Sequence, residues 1–336
     1  MHPVVTRSNV TPIHHLFGSE GTASPHQLEL WTADKVAHTD LGEPNYETTR
    51  IDSAIANASY RELDVVPDPR AEAIWCFMRP AGPPSFTRSL LTELISVRRM
   101  LQRIFSELRP GEAPPFKYFV GGSRLSGIYN LGGDLGFFVE CIRARDLDTL
   151  RDYAHQCVDV AYHMTVGFHL PLVTIALVQG DALGGGLEGA LSFNVLVAEK
   201  SAKFGFPEIL FNLFPGMGAY SYLSRKIDAA HAQKMILSGR LYSASELHQM
   251  GLIDILAEDG HGEEAVRQYI ANNRRQHRVH QSLRSVSMRI NPLSLDELRD
   301  ITDIWAEHAM HLQESDLRRM ERLMGAQLRR LSGVRS

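Results

Sequence analysis

Two glycine-rich turns set the tightest limit on how this chain can fold. Asn130-Leu-Gly-Gly-Asp-Leu135 and Gly180-Asp-Ala-Leu-Gly-Gly-Gly-Leu-Glu188 each stand directly before a helix. After the first, Leu135, Phe138, Val139 and Ile142 recur at i, i+3, i+4 and i+7, with Asp134 placed as the N-cap. Ahead of the second, Leu172–Val178 reads as a near-continuous buried strand. A chain that alternates strand, glycine turn and helix belongs to the α/β class.

The remaining segments agree with that class. Tyr60–Val66 and Ala73–Met78 are strand-like runs around Pro67-Asp-Pro-Arg70, which predicts a hairpin. Helical spacing of Leu90, Leu91, Leu94 and Val97, continued by Met100, Leu101, Ile104 and Leu108, predicts a long helix, and Phe116–Gly121 a strand. A second long helix carries Leu147, Leu150, Ala154, Cys157, Val158 and Ala161 on one stripe. Ser243 with Glu246, and Ser294 with Glu297, match the capping box, while Gly239 and Gly251 fit helix ends. The expected division is a flexible arm over residues 1–45, rich in Ser, Thr, His, Gly and Pro, a catalytic core over 46–260, and a helical region over 261–336.

Composition narrows the function. With 336 residues, 44% of them apolar, the chain can bury a large core. Its 35 basic and 39 acidic residues leave a net charge of −4, so no global field favours nucleic acid or an anionic membrane. No run of about 18 apolar residues occurs to cross a bilayer. Cys76, Cys141 and Cys157 form no C-x-x-C pair and Met1–Gly18 lacks the apolar stretch of a signal peptide, which together favour the cytoplasm. One local basic run, Arg267, Arg274, Arg275, Arg278, Arg284 and Arg289, could meet an acidic carrier protein, although such runs are more often solvated helix surface.

The chemistry gathers at the glycine turns. Glycine lets backbone approach a ligand closely, and free N–H groups at a helix start favour an oxygen bearing negative charge. One glycine turn alone is usually just a turn; two facing each other would make an oxyanion hole. Glu188 follows the second turn, and Glu208 lies in Gly205-Phe-Pro-Glu208, both among apolar residues. A carboxyl so placed should hold its proton more tightly, toward the range of a proton-transfer group, although the helix start beside Glu188 opposes this. Taken singly, each glutamate is more often an ordinary solvated or paired residue. Gly184-Gly-Gly-Leu-Glu-Gly189 also matches the dinucleotide fingerprint G-x-G-x-x-G, but Leu172–Val178 ends several residues before it and Glu208 follows a proline instead of a second strand. The histidines, including His277, His280, His308 and His311, stand without cysteine or carboxylate neighbours at zinc spacing and read as solvated surface, so neither a metal nor another cofactor is expected.

At these residues the chain resembles the crotonase (enoyl-CoA hydratase) superfamily. The segment Thr174–Gly239 looks like its central block, through Val178-Gln-Gly-Asp-Ala-Leu-Gly-Gly-Gly-Leu-Glu188, Phe204-Gly-Phe-Pro-Glu208 and Phe214-Pro-Gly-Met-Gly218. Ile128-Tyr-Asn-Leu-Gly-Gly-Asp-Leu135, the segment from Glu208 to Ser221 and the C-terminal Leu298–Arg330 resemble its diffusible signal factor synthase (RpfF-type) branch, over about residues 60 to 332. The resemblance implies an α/β crotonase-like ββα spiral core with a helical C-terminal extension, and a homotrimer. Gly133 and Gly185 would supply the two oxyanion-hole N–H groups, and Glu188 and Glu208 the acid–base pair. Isomerase-like members commonly lack the first of these acids.

The implied activity is dehydration of a 3-hydroxyacyl carrier-protein thioester to a cis-2-enoyl thioester, followed by hydrolysis to a free quorum-sensing fatty acid. Removing the C2 proton builds charge on the thioester oxygen, where two preorganised N–H donors act most strongly. An acyl chain needs an apolar slot; Leu135 and Phe138 are candidates, and the resemblance adds Met217 and Trp305. Each could equally be ordinary packing. Two other readings stay open: a plain hydratase of CoA thioesters without hydrolysis, and a non-catalytic partner of a signal sensor.

Overall fold

The computed structural model describes residues 59–334, with side chains as far as Arg329. The arm expected over residues 1–45 lies outside the described residues. The described chain begins with the expected hairpin: β1 (Leu63–Asp68) pairs antiparallel with β2 (Ala73–Met78), Val65 opposite Cys76. Pro67 sits within β1 and not in the turn. That is tolerated because β1 is an edge strand, where a missing N–H need not break a ladder bond. Helix α1 (Arg88–Ser106) starts at Thr87, whose hydroxyl accepts the Leu90 N–H at 3.2 Å. It buries Leu90, Leu91, Leu94, Val97, Met100, Leu101 and Ile104, each contributing about 1.5–3 kcal/mol where burial is complete.

The chain then winds through repeated turns of a spiral. The first is β3 (Tyr118–Ser123), β4 (Gly127–Asn130), α2 (Leu135–Ala144) and α3 (Leu147–Thr165); the second is β5 (Val173–Val178), β6 (Gly180–Leu183) and α4 (Gly185–Leu191). The third is β7 (Val195–Glu199), β8 (Lys203–Gly205), a 3-10 turn over Pro207–Phe211, α5 (Ala219–Lys226) and α6 (Ala229–Ser238). The strand β9 (Leu241–Ser243), α7 (Ala244–Gln249) and β10 (Ile255–Ala257) follow. The strands fall into a six-stranded sheet ordered β1-β2-β3-β5-β7-β10 and a four-stranded sheet ordered β4-β6-β8-β9. Each turn therefore gives one strand to each sheet before its helix. Within the small sheet β4, β6 and β8 run parallel, with Asn130 opposite Ala182 and Leu183 opposite Gly205.

This register departs from the sequence reading at one point. Between Val178 and the glycines stands a second strand, β6, so the glycine turn does follow a strand directly. Gly180 makes the pairing possible, since a methyl group there would lie 2.1 Å from the carbonyl carbon of Gly127 in β4. The dinucleotide reading still finds no support in the topology. Glu208 lies in a 3-10 turn and not at the end of a strand as that fingerprint requires.

The C-terminal region is helical as expected: α8 (Gly262–Asn273), α9 (His277–Ile290), α10 (Leu295–Ala309) and α11 (Glu314–Val334). Val266 and Ile270 of α8 close a second core against Trp75, Val120 and Val197 of the large sheet. Helix α10 packs on α3, and α11 lies on α2 and the Pro207–Phe211 turn. Arg143 of α2 pairs with Glu314 at 2.6 Å and Glu321 at 2.7 Å of α11, surface contacts that water and salt screen.

Several side-chain expectations are corrected here. Ser294 caps α10 through the Glu297 N–H, but the Glu297 carboxylate is turned onto Arg225 and Ser221 and not back to the cap. His277 is buried, its ring bonded to the Lys117 carbonyl at 3.0 Å. Half of the basic run is engaged: Arg267 with Asp68, Arg274 with Glu72, and Arg284 with Asn194 and the Leu172 carbonyl. These three arginines tie α8, α9 and the turn between them to the core, while Arg275, Arg278 and Arg289 are exposed. The three cysteines are buried and free, and among the described residues no helix is long and apolar enough to cross a membrane.

Candidate active site

Because β4 and β6 are neighbours in register, the glycine turns that follow them lie against each other. A methyl on Gly132 would come within 3.0 Å of the Gly185 nitrogen, and one on Gly186 within 2.0 Å of the Asn130 carbonyl oxygen. Only glycine permits that approach. Asn130 fixes the first turn by accepting the Gly132 N–H at 2.8 Å, and Gly132 takes φ +102°, a left-handed conformation that favours glycine. Asp134 caps α2 by accepting the Phe137 N–H at 3.1 Å. Among the described residues no turn or loop hydrogen bond is donated by the Gly133 or the Gly185 N–H. Both glycines line one cavity, and a methyl on Gly185 would lie 3.3 Å from the Gly133 nitrogen.

Glu188 is the last residue of the first turn of α4 and is buried to 1% exposure. Its Oε1 accepts two N–H bonds, from Met217 at 2.7 Å and from Ala219 at 2.9 Å. Both donors stand at the start of α5, so the opening of one helix clamps an acid on another. Burial pushes the carboxyl above the ordinary range, and these two N–H groups, which favour the ionised form, hold it back.

Glu208 comes from the equivalent place in the next turn of the spiral. β8 pairs with β6, and the Gly205 carbonyl accepts the Gly184 N–H at 2.8 Å. A methyl on Gly184 would lie 2.3 Å from Glu208 Oε1, so this glycine lets the carboxyl reach the second turn. Glu208 keeps some surface open to the cavity, yet its Oε2 is shielded and has no hydrogen-bond partner. Burial first, and then the charge of Glu188, raise its carboxyl well above the ordinary range, with no pair of N–H donors to offset them.

The eight residues singled out in the sequence, Glu188, Glu208, Gly133, Gly185, Leu135, Phe138, Met217 and Trp305, all line one cavity. Trp305 comes from α10, its ring edge-on to Phe138 at 5.1 Å between centroids. A methyl on Gly216 would meet that ring at 2.3 Å, and Thr302 one turn earlier donates to the Gly216 carbonyl at 2.8 Å.

Three wall residues escaped the sequence reading. Tyr153 donates to the Phe86 carbonyl at 2.5 Å and accepts the Asp134 N–H at 3.1 Å, bracing the first turn from α3. Its place beside Ala154 on the apolar stripe was the available signal. Leu323 and Gln327 arrive on α11, Gln327 donating to the Leu131 carbonyl at 3.4 Å. Nothing local in the sequence ties α11 to a turn nearly two hundred residues earlier.

Among known proteins, the enoyl-CoA hydratase/isomerase family matches residues 144–317, just over half of the chain. An enoyl-CoA isomerase/hydratase of Mycosarcoma maydis is 30% identical over 181 residues, 53% of this chain and 62% of that one. The mitochondrial methylglutaconyl-CoA hydratase of Rattus norvegicus is 31% identical over 201 residues, 56% of this chain and 55% of that one. The chain thus spans less than two thirds of the length of these relatives. In fold it is similar to an enoyl-CoA hydratase/isomerase from Xanthobacter autotrophicus, with a TM-score of 0.64 at 17% identity, covering 83% of this chain and 98% of that one. An enoyl-CoA hydratase from Bacillus halodurans gives 0.63 at 19% identity, covering 78% and 99%.

Proposed function

The chain belongs to the enoyl-CoA hydratase/isomerase family, and from that premise we propose that it adds or removes water across C2 and C3 of an acyl thioester, with Glu188 and Glu208 as the proton-transfer pair. The observation that carries this reading is the pair of buried carboxyls in one cavity with the Gly133 and Gly185 N–H groups. The thioester carbonyl oxygen accepts those two N–H bonds, which strengthen as C2 becomes carbanionic and charge moves onto the oxygen.

The two acids divide the work through their surroundings. Glu208 holds its proton more tightly, and Glu188, with two N–H bonds on Oε1, ionises first. In hydration the Glu188 carboxylate takes a proton from the water that attacks C3, and Glu208 gives its proton to C2. Run backward, Glu208 takes the C2 proton and Glu188 protonates the C3 hydroxyl as it leaves as water. Both N–H bonds fall on one oxygen of Glu188, so the other is the oxygen that faces substrate.

The finer reading is a diffusible signal factor synthase: dehydration of a 3-hydroxyacyl carrier-protein thioester to the cis-2-enoyl thioester, then thioesterase cleavage to the free acid. It rests on the resemblance of Ile128–Leu135, Glu208–Ser221 and Leu298–Arg330, and is supported by the apolar wall of Leu135, Phe138, Met217 and Trp305. In hydrolysis a glutamate-activated water attacks the carbonyl carbon, the same N–H pair holds the tetrahedral oxyanion, and the C–S bond breaks as the thiolate takes a proton. The same resemblance carries a homotrimer and a sensor protein as partner.

The test is mass spectrometry of 3-hydroxydodecanoyl carrier protein incubated with wild type, Glu188→Ala and Glu208→Ala. Free cis-2-enoic acid from wild type, lost in both variants, is the expected result. An intact carrier thioester together with hydration of an enoyl-CoA would replace this reading with a plain hydratase. No turnover of either would leave a binding protein.

The pocket role makes a separate prediction. Trp305→Ala is expected to lower stability by about 3–5 kcal/mol, as for deletion of a large buried aromatic. It is also expected to raise KM for a medium-chain thioester at least about tenfold, the equivalent of ~1.4 kcal/mol of lost contact. Thermal unfolding and steady-state kinetics check the two halves. A normal KM in the folded variant would remove Trp305 from the pocket's substrate-binding residues.

A further inference from the structure

Helix α10 meets the loop that holds Glu188 through one face. Leu298, Thr302 and Trp305 stand at i, i+4 and i+7, and each lies against Gly216–Gly218, the loop that leads into α5. A methyl on Gly216 would strike the Trp305 ring at 2.3 Å, and one on Gly218 the Leu298 side chain at 2.8 Å. Between these two contacts Thr302, fully buried, donates its hydroxyl to the Gly216 carbonyl at 2.8 Å. That carbonyl belongs to the same peptide group as the Met217 N–H, which Glu188 Oε1 accepts at 2.7 Å. One planar unit thus has Thr302 at one end and the acid at the other.

The hydroxyl has one proton and two carbonyls in reach, Gly216 and, at 2.7 Å, Leu298. Leu298 lies four residues before Thr302 in α10, where its carbonyl is the helical acceptor of the Thr302 N–H. The buried Gly216 carbonyl accepts no backbone N–H among the described residues, so the hydroxyl proton belongs to it.

We infer that Thr302 is a positioning residue for Glu188: its hydroxyl fixes and polarises the Gly216–Met217 peptide and so strengthens the N–H bond that the Glu188 carboxylate accepts. The inference rests on the hydration reading above, in which Glu188 acts as a carboxylate. Hydrogen bonds in series through one group reinforce each other where water is excluded. Burial pushes the Glu188 carboxyl up, and the Ala219 and Met217 N–H groups oppose that rise. A weaker Met217 bond therefore leaves the carboxyl protonated to a higher pH. The titratable groups that face Glu188 from the elements around it are Glu208, Cys157 of α3 and Tyr222 of α5. Burial pushes the Cys157 thiol up to about 12 and raises the Tyr222 phenol as well, so both are neutral when Glu188 titrates. Glu208 is the neighbour whose charge has to be removed from the measurement.

The first readout is the acid limb of kcat/KM for hydration of an enoyl-CoA. Thr302→Val keeps the branched shape and loses the hydroxyl, and should move that limb upward by about half a pH unit. Thr302→Ser keeps the hydroxyl and should leave the limb where wild type has it, whatever the lost methyl does to Tm. Thr302→Ala decides the matter if Thr302→Val does not fold. A merely structural threonine would lower Tm and move no limb, so an unmoved limb in the folded variant without the hydroxyl would overturn the inference. The second readout is the ionisation of Glu188 itself, followed by NMR of isotope-labelled glutamate carboxyls in the Glu208→Gln background and identified by its loss in Glu188→Gln. It needs no turnover. A midpoint raised by Thr302→Val without hydration by the wild type would sink the proposed reaction and leave the positioning role standing, while hydration with an unmoved midpoint would do the reverse.

Discussion

Glu208→Gln is expected to lower turnover by about 10²- to 10⁴-fold, the range of a positioned proton donor, while raising thermal stability at neutral pH. The two effects have one cause. Glu208 is a shielded carboxyl with an unpartnered Oε2 beside a second carboxyl, and its proton affinity is raised well above the ordinary range. The unfolded chain releases that proton near pH ~4.3; the folded chain keeps it to a higher pH. Between those values the native state binds more protons than the unfolded one, so stability falls as pH rises. Above the window the native state carries a buried charge that glutamine does not. The advantage of Glu208→Gln in Tm should therefore be absent at low pH and grow as pH rises through the window. Thermal unfolding of both proteins across pH, with hydration kinetics at each point, measures it. A variant that keeps its turnover within a factor of ten would end the assignment of Glu208, and a Tm difference that shrinks with rising pH would show the carboxyl to be ionised and paired.

Gly186→Ala is expected to be the most damaging single methyl at the site. The added carbon would stand 2.0 Å from the Asn130 carbonyl oxygen, backbone against backbone, with no flexible side chain to yield. The turns after β4 and β6 must then part, and the Gly133 and Gly185 N–H groups no longer converge on one oxygen. Loss of a single oxyanion donor commonly costs about 10²–10³ in kcat, and parting the pair should reach at least the upper end of that range. The readout is a split one: kcat falls, while stability falls by the few kcal/mol typical of an overpacked interior, about 1–3 kcal/mol. Unchanged kcat in a folded Gly186→Ala protein would remove the glycine turns from the chemistry. Ala at Gly136 of α2 serves as the control, since its methyl would meet only Met324 Sδ, at 3.2 Å, and Asp134 Oδ1, at 3.5 Å.

Much of the site could be read from the sequence because its parts lie at the same place in successive turns of the spiral. Leu131–Leu135, Gly184–Glu188 and Phe206–Glu208 each follow a strand of the small sheet, so parallel pairing of β4, β6 and β8 brings them together. A glycine cluster followed by an acid among apolar residues is a local pattern, and Glu188 and Glu208 carry it openly. What stayed hidden was either too short or too distant. β6 is only Gly180-Asp-Ala-Leu183, with no apolar alternation to mark it. Gln327 reaches Leu131 only because α11 packs along α2, a choice made by tertiary contacts. Glu297 looked like half of a capping box, but Arg225 offers its carboxylate two charge-assisted bonds, at 2.7 and 2.8 Å, stronger than one backbone N–H. His277 reads as surface for want of metal-ligand neighbours in sequence, whereas its buried ring bonds the distant Lys117 carbonyl.

The closing wall of the cavity has a consequence for how the protein is made. Both glutamates leave the ribosome well before Trp305, Leu323 and Gln327, which complete the enclosure around them. At ~5–20 residues per second, the growing chain spends roughly 6 to 24 seconds between Glu208 and Gln327, with the acids made and this part of their cover unmade. In that interval the part of the wall supplied by Trp305, Leu323 and Gln327 is missing. The share of their raised proton affinity that comes from cover by α10 and α11 is therefore acquired only after every proton-transfer group has been translated.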